Sequence, residues 1–104
     1  KQLSLKDIWL DYFTTRQYLV SPLIAGEKLQ LTETSCLNSK GQTILKFSYK
    51  FLREIEEYQS KGYVPNTAKV NFVLYWKKEE DGKEYQIVLP EIQFGKVQAM
   101  EIPG

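Results

Sequence analysis

The stretch Ala68-Lys-Val-Asn-Phe-Val-Leu-Tyr-Trp-Lys-Lys-Glu-Glu-Asp-Gly-Lys-Glu-Tyr-Gln-Ile-Val-Leu89 carries the clearest structural signal in the chain. Two segments of alternating apolar and polar residues flank Asp81-Gly82. This dipeptide suits a type I′ hairpin turn because both central residues of that turn take positive φ. A turn centred there pairs Glu80 with Lys83 and fixes the register of both strands. The sequence therefore predicts a long β-hairpin.

In this register the hairpin has two unlike faces, since residues directly opposite each other share a face. Trp76 lies opposite Ile87, and Leu74 lies opposite Leu89. The apolar face then consists of Phe72, Leu74, Trp76, Ile87 and Leu89. The other face consists of Lys69, Asn71, Val73, Tyr75, Lys77, Gln86 and Val88. We expect the rest of the chain to cover the apolar face, whereas no element is assigned to cover the other one.

The first predicted cover is an amphipathic helix from Leu3 to about Thr15. Ser4 is its expected N-cap, and Asp7, three residues later, completes a capping-box-like pattern. The apolar stripe consists of Leu5, Ile8, Trp9, Tyr12 and Phe13. The aromatic members of this stripe would also suit an anchor for a partner. Core packing is favoured, because the hairpin needs a cover.

The second predicted helix runs from Ser48 to Lys61. Ser48 is its expected N-cap, and Gly62 is the expected left-handed residue after its end. Its buried stripe is predicted to consist of Phe51, Leu52, Ile55 and Tyr58. Two amphipathic helices are thus available to cover one face of the sheet.

The remaining segments predict a second hairpin and a short C-terminal extension. Strands over 28–34 and 42–47 flank a turn at 38–41, where Asn, Ser and Gly residues cluster. Pro90 lacks a ladder donor, which indicates an edge position or a bend. Residues 91–94 are a candidate further strand, and 96–104 a weak strand or tail.

Together these elements predict a small single α+β domain over residues 1–104. The expected order is α-β-β-α-β-β, with a final short strand as a variant. The antiparallel sheet is built from two hairpins, and the two amphipathic helices pack on one face.

Composition indicates a folded domain and excludes few partners. Hydrophobic residues make up 42% of the chain and charged residues 26%, with a net charge of +1. This balance does not by itself indicate nucleic acid or a membrane surface as a partner. No run approaches the roughly 18 apolar residues of a membrane span. The absence of an initiator Met and the ending Ile102-Pro103-Gly104 favour a segment of a longer protein or a processed chain.

The lone cysteine, Cys36, predicts a reducing, cytoplasmic location, since it has no partner for an internal disulfide. A small, buried side chain beside a strand is favoured over a reactive thiol. Catalytic motifs are missing elsewhere too, because the chain has no His and no Gly-rich phosphate loop. The carboxylates lie in runs mixed with lysines, which is typical of solvated surface. We therefore predict no catalytic residues, no cofactor and no metal site.

Two functional hypotheses follow, with an enzyme using carboxylate or lysine chemistry as the least favoured third. The first is a non-catalytic accessory or protein-interaction domain of a larger intracellular protein, which binds a protein partner or flanking domains of the same chain. The second is a nucleic-acid-contacting accessory domain of a DNA- or RNA-processing protein, in which lysines hold phosphates and an aromatic ring stacks a base. The candidate surface for either partner consists of Lys46, Lys69, Asn71, Tyr75, Lys77 and Gln86.

Overall fold

The computed structural model describes residues 1–97 and shows an α+β fold with a five-stranded antiparallel sheet and a few short helices. Most of the segment predicted as a weak strand or tail, 98–104, lies outside the described residues. The elements are two 3-10 helices (Leu5–Asp7 and Leu10–Thr15), α1 (Gln17–Val20), β1 (Lys28–Leu31), β2 (Ser35–Leu37), β3 (Thr43–Lys46), α2 (Tyr49–Ser60), β4 (Tyr63–Lys77) and β5 (Glu84–Lys96).

The sheet has the strand order β3-β2-β1-β4-β5, and the N-terminal segment touches both of its edges. Gln2 forms a bridge with Glu91 on β5, and Ile8 forms a bridge with Phe47 directly after β3. Six residues span at most about 20 Å, so the two outer strands must approach each other. The sheet is therefore curled, and its buried side chains form one core. The largest fully buried members include Phe13, Ile44, Leu45, Phe51, Ile87 and Ile92.

The predicted continuous N-terminal helix is wrong, and of its expected core-packing stripe only Ile8 and Phe13 are buried, whereas Leu5 and Trp9 are about half exposed. Two 3-10 helices and the short α1 replace it, and Ile8 between them is extended, with φ −124° and ψ 155°. The bridge between Ile8 and Phe47 requires that extended backbone, so a tertiary contact overrides the helical spacing. The predicted contact between Ser4 and Asp7 is present: the Asp7 carboxylate accepts from the Ser4 N–H at 2.9 Å and from the Ser4 hydroxyl at 3.1 Å.

The second helix is confirmed with its caps. The Ser48 hydroxyl accepts from the Phe51 N–H at 3.2 Å, and Gly62 has φ +87°. Phe51 and Ile55 of the predicted stripe are buried, whereas Leu52 is only partly buried and Tyr58 is exposed, so the prediction is wrong for these two residues. Tyr58 stacks on Phe94 of β5 with the ring centroids 4.3 Å apart, which ties the end of the helix to the sheet.

The predicted second hairpin contains three strands and not two. The turn over 38–41 is confirmed, since the Asn38 side chain accepts from the N–H groups of Lys40 and Gln42. An additional turn at 32–35 separates β1 from β2. There the Thr32 hydroxyl accepts from the Thr34 N–H and lies 2.6 Å from the Ser35 hydroxyl. Short hydroxyl side chains compete with the strand for backbone groups, and the strand breaks as a result.

The main hairpin is present, but its predicted register is wrong by two residues. Trp76 lies opposite Tyr85, and Leu74 opposite Ile87. The strands end at Lys77 and Glu84, so the loop is longer than a two-residue turn. Among the tip residues only Gly82 has positive φ. The Asp81 carboxylate accepts from the Lys83 N–H at 2.8 Å and from the Tyr85 hydroxyl at 2.7 Å, which stabilises this wider loop.

β5 continues through Pro90 to Lys96, so the predicted separate strand over 91–94 is the second half of β5. The edge position predicted for Pro90 is confirmed. Its carbonyl accepts from the Leu3 N–H at 2.9 Å on the outer side of β5, where a missing proline N–H costs no bond to β4.

Candidate functional site

A β-bulge at Asn71 divides the surface that the sequence suggested. Val70 pairs with Pro90 and Phe72 pairs with Leu89, so Asn71 is an extra residue in β4. Lys69, opposite Glu91, therefore shares a face with Phe72 and Leu74. Tyr75 and Lys77 lie on the other face, opposite Gln86 and Glu84. The prediction of one face holding Lys69, Tyr75 and Lys77 is wrong, because alternation does not continue through a bulge.

The predicted surface residues also have partners of their own. The Lys69 ammonium lies 3.7 Å from the Glu91 carboxylate. The Lys46 ammonium lies on a separate part of the molecule, 5.9 Å from the ring centroid of Trp9 and 5.1 Å from that of Tyr12. Tyr75 is the one aromatic residue among the six predicted surface residues, and its side chain is 72% exposed. The structure thus does not gather these residues into one basic face.

Burial divides the main hairpin by strand and not by face. In β5 the four residues from Ile87 to Pro90 are all buried, although they alternate between faces. In β4, Phe72 is 52% exposed and Leu74 is 37% exposed. These two residues were expected under a helix, and that expectation is wrong. Together with Tyr75 they form an exposed apolar row, which alternation alone could not reveal because its members lie on both faces.

This row lies beside the free edge of β4. On the outer side of β5, the Gln86 N–H donates to the Gln17 side-chain oxygen and the Gln86 carbonyl accepts from the Gln17 side-chain nitrogen, each at 2.8 Å. The backbone of Gln86 therefore points away from β4. Opposite residues in an antiparallel pair point either both inward or both outward. The N–H and C=O groups of Val73, Tyr75 and Lys77 consequently point away from β5.

The edge is free because β1 leaves it early. β1 pairs with β4 only at Lys69 and Ala68. One residue further, the Val70 N–H donates to the Glu27 carbonyl at 2.8 Å, and its carbonyl accepts from the Gly26 N–H at 2.7 Å. Within residues 1–97, no backbone group bonds to the outward side of β4 from Phe72 to Lys77. We call this segment, Phe72–Lys77, the β4 edge.

A groove adjoins the tip of the β4 edge. Its volume is about 820 Å³, and Trp76 of β4 forms one of its walls. The opposite walls come from the linker between the 3-10 helices and from the start of α2, chiefly Trp9, Tyr49 and Leu52. A second groove of about 670 Å³ shares Thr34 and Leu52 with the first and follows α2 toward its C-terminus. Aromatic and aliphatic walls of this kind suit apolar side chains.

The charged groups near α2 stabilise the fold. Asp7 is 1% exposed, and its carboxylate lies 2.9 Å from the Lys50 ammonium and 3.7 Å from that of Lys1. Burial by itself raises the pKa of Asp7. Hydrogen bonds from the Ser4 N–H and from Lys50 outweigh this effect, and the pKa falls below its ordinary value of 3.8. A lowered pKa keeps Asp7 ionised, so it anchors cations and is unsuited to accept a proton near neutral pH.

Cys36 is fully buried in β2, and burial raises the pKa of its thiol to about 12. The thiol is therefore protonated near neutral pH, in agreement with the expected packing role. In the part of the chain that the structure describes, no three His, Cys, Asp or Glu side chains are placed to hold a metal ion. No helix among residues 1–97 is long and apolar enough to cross a membrane.

Comparison of the chain with protein-family models, with curated proteins and with solved structures finds no match in any of the three.

Proposed function

We propose that this chain is a non-catalytic, intracellular protein-interaction domain that binds an extended segment of a protein partner along the β4 edge. The observation that carries the proposal is the unpaired outward backbone of Val73, Tyr75 and Lys77, bordered by the exposed side chains of Phe72 and Leu74. An added strand would complete the ladder on this side, which is a common mode of peptide recognition.

The two edges of the hairpin differ in a way that supports this use. β5 is covered on its outer side by the Gln17 amide and by the N-terminal segment, where the Ile92 N–H donates to the Lys1 carbonyl at 2.8 Å. Folded proteins usually protect an open strand edge with charges, proline or a bulge. From Phe72 to Trp76 the β4 edge has none of these, and its protection begins only at the Asn71 bulge and at Lys77. The apolar edge of β4 lacks this protection, whereas the outer side of β5 is bonded at Gln86, Pro90 and Ile92, and this difference favours a binding role for β4.

Side-chain selectivity would come from alternation in the bound strand. Main-chain hydrogen bonds give affinity for any extended segment, and alternate side chains of the segment select among sequences. On one face of the hairpin the bound segment would meet Phe72 and Leu74, and on the other it would meet Tyr75. A partner segment with apolar residues on both faces fits this row better than a charged one.

Peptides selected from a random displayed library on the immobilised domain would test the proposal, with two substitutions at one position. Tyr75→Pro removes the outward N–H without removing a bond to β5, and Tyr75→Thr keeps that N–H while removing the same ring. We expect Tyr75→Pro to bind selected peptides at least about tenfold more weakly than Tyr75→Thr, since a lost hydrogen bond costs about 1.4 kcal/mol. Titration calorimetry would give both affinities.

Backbone hydrogen exchange of the unmodified domain provides the accompanying control, because a proline variant can also perturb folding. Added peptide should slow exchange at the amides of Val73 and Tyr75. Equal losses in the two variants, or protection confined to the groove beside Trp9 and Tyr49, would contradict binding at the β4 edge.

Nucleic-acid contact is the alternative proposal, and it has less support from the geometry. It would need Lys69, Tyr75 and Lys77 to act together, but the Asn71 bulge separates Lys69 from the other two. The alternative predicts that single-stranded oligonucleotides bind at low salt and that Lys69→Glu with Lys77→Glu weakens this binding. A domain that binds edge peptides but no oligonucleotide at low salt would remove this alternative.

A further inference from the structure

We propose that the strand added to the β4 edge is β4 of a second copy of this chain, antiparallel about a two-fold axis at Leu74. The inference rests on the proposed function and names its partner. A two-fold interface places the same patch of both copies in contact, so the edge must be complementary to itself. The short segment Phe72-Val-Leu-Tyr-Trp76 has that property.

The outward direction of the backbone restricts the register. Val73 and Tyr75 point toward the added strand, so each must face an outward residue of the second copy. With the axis at Leu74, Val73 of one copy faces Tyr75 of the other. Each such pair exchanges two backbone hydrogen bonds, and the two pairs related by the axis give four. Leu74 then faces its own copy in the closer, non-hydrogen-bonded type of pair.

Side-chain pairing favours this register over its neighbours. Phe72 faces Trp76 of the other copy, and every pair from Phe72 to Trp76 is apolar. Moving the axis to Val73 places Tyr75 opposite Asn71, so the ring loses its apolar partner and the bulge interrupts the second hydrogen-bonded pair. Moving it to Tyr75 places Phe72 opposite Lys78, which exchanges an apolar pair for a charged residue.

Charge at the ends of the paired segment agrees with the same register. Outward from the axis at Leu74, the hairpin tip of each copy extends toward the end of the free edge in the other copy, where β1 begins to pair with β4 at the exposed Lys28. The acidic residues of each tip, Glu79, Glu80 and Asp81, therefore approach Lys28 of the second copy. Five residues on each side make a small interface, for which weak association is expected.

Disulfide trapping tests the register directly. Residues facing each other in a non-hydrogen-bonded antiparallel pair have Cα atoms about 4.5 Å apart, which a disulfide can bridge. A Leu74→Cys chain should therefore form a covalent dimer under mild oxidation. In a Phe72→Cys chain the two new thiols are four residues out of register, about 13 Å apart, and should not cross-link. Phe72 is the more exposed residue, so exposure alone predicts the reverse order.

The unmodified chain is the second control. Cys36 is buried and stays in place, so it should give no covalent dimer. Sedimentation equilibrium of the unmodified chain should show association that increases with concentration and that Leu74→Lys abolishes. Faster cross-linking of Leu74→Cys than of Phe72→Cys, together with this association, supports the inference.

Equal cross-linking of Leu74→Cys and Phe72→Cys would overturn the inference, and so would a chain that is monomeric at every concentration. Neither result would count against strand addition by another protein. If selected peptides still bind in a Tyr75→Pro-sensitive manner, the proposed function stands while the second copy is excluded. If peptide binding is also insensitive to Tyr75→Pro, both proposals fail.

Discussion

At the scale of single residues, Asp7 is the charged group on which the N-terminal segment depends. It is buried, and it accepts hydrogen bonds from Ser4 and Lys50. We expect Asp7→Asn to lower the free energy of unfolding by about 1–3 kcal/mol at pH 7, since the substitution removes charge-assisted bonds in a buried position. Urea unfolding followed by circular dichroism would measure the change.

The pH dependence of that loss has a definite sign. The folded pKa of Asp7 lies below its ordinary value of 3.8, so the stabilisation is fully present above that value. It is lost as the pH falls through the lower folded pKa. The difference between the original chain and Asp7→Asn should therefore shrink below about pH 4. Asp11→Asn is the matched control, because the exposed Asp11 pairs with Lys78 at the surface and should change stability by less than about 1 kcal/mol.

The sequence correctly predicted side-chain contacts between residues that lie only three positions apart. Ser4 with Asp7, and Ser48 with Phe51, were predictable because a cap uses neighbours at fixed spacing. The Asn71 bulge was not predictable, since an extra residue in a strand is set by pairing with β5 and leaves no local pattern. The candidate surface was misplaced for this reason, and of its six residues only Tyr75 and Lys77 belong to the β4 edge.

At the scale of elements, the Gln17 side chain replaces a missing strand beside β5. It both donates to and accepts from the backbone of Gln86, as a neighbouring residue of a sheet would. Gln17→Glu keeps the shape but cannot donate to the Gln86 carbonyl. We expect it to lower the free energy of unfolding by about 1–2 kcal/mol, because a partly buried acceptor is left unpaired.

Gln93→Glu is the control for this prediction. It makes the same change from amide to carboxylate on an exposed side chain of β5. Substitutions at exposed positions usually change stability by less than about 0.5 kcal/mol. Both variants can be compared by urea unfolding at pH 7. Equal effects of the two substitutions would show that the Gln17 amide does not cover the edge of β5.

The hairpin itself illustrates what an element-scale pattern can and cannot predict. Alternation correctly indicated two paired strands around Gly82, since period two is a property of each strand. The register depended on the loop, and the side-chain bonds of Asp81 stabilise a wider loop than Asp-Gly usually forms. An error of two residues by itself leaves every side chain on its predicted face, but burial follows the strand: Ile87 and Leu89 are buried as expected, and Val88 on the other face is buried too.

At the scale of the whole molecule, the fold is long and narrow, with extents of 61 × 26 × 18 Å. Cys36 lies in β2, between β1 and β3, so a thiol reagent reaches it only when the sheet opens. We expect labelling of Cys36 in the unmodified chain to be very slow at pH 8. Its apparent free energy of opening should match the free energy of unfolding from urea.

The Leu74→Cys chain supplies the comparison for that measurement. It carries a second, partly exposed thiol, which should react rapidly while Cys36 stays protected. With a chromogenic disulfide reagent, absorbance should therefore rise in two phases of equal amplitude, a fast one from the new thiol at position 74 and a slow one from Cys36. Rapid modification of Cys36 would show that β2 opens locally and that the sheet does not behave as one cooperative unit.

The bridges of the N-terminal segment also constrain the order in which the protein can fold during synthesis. The Ile92 N–H bonds to the Lys1 carbonyl, and these residues are 91 positions apart. On a ribosome residues 1–3 therefore stay unpaired until β5 has emerged, and only then can the curl close. Contacts of such long sequence separation slow folding and leave strand edges uncovered meanwhile. A nascent chain halted before β5 would be a natural client for a chaperone.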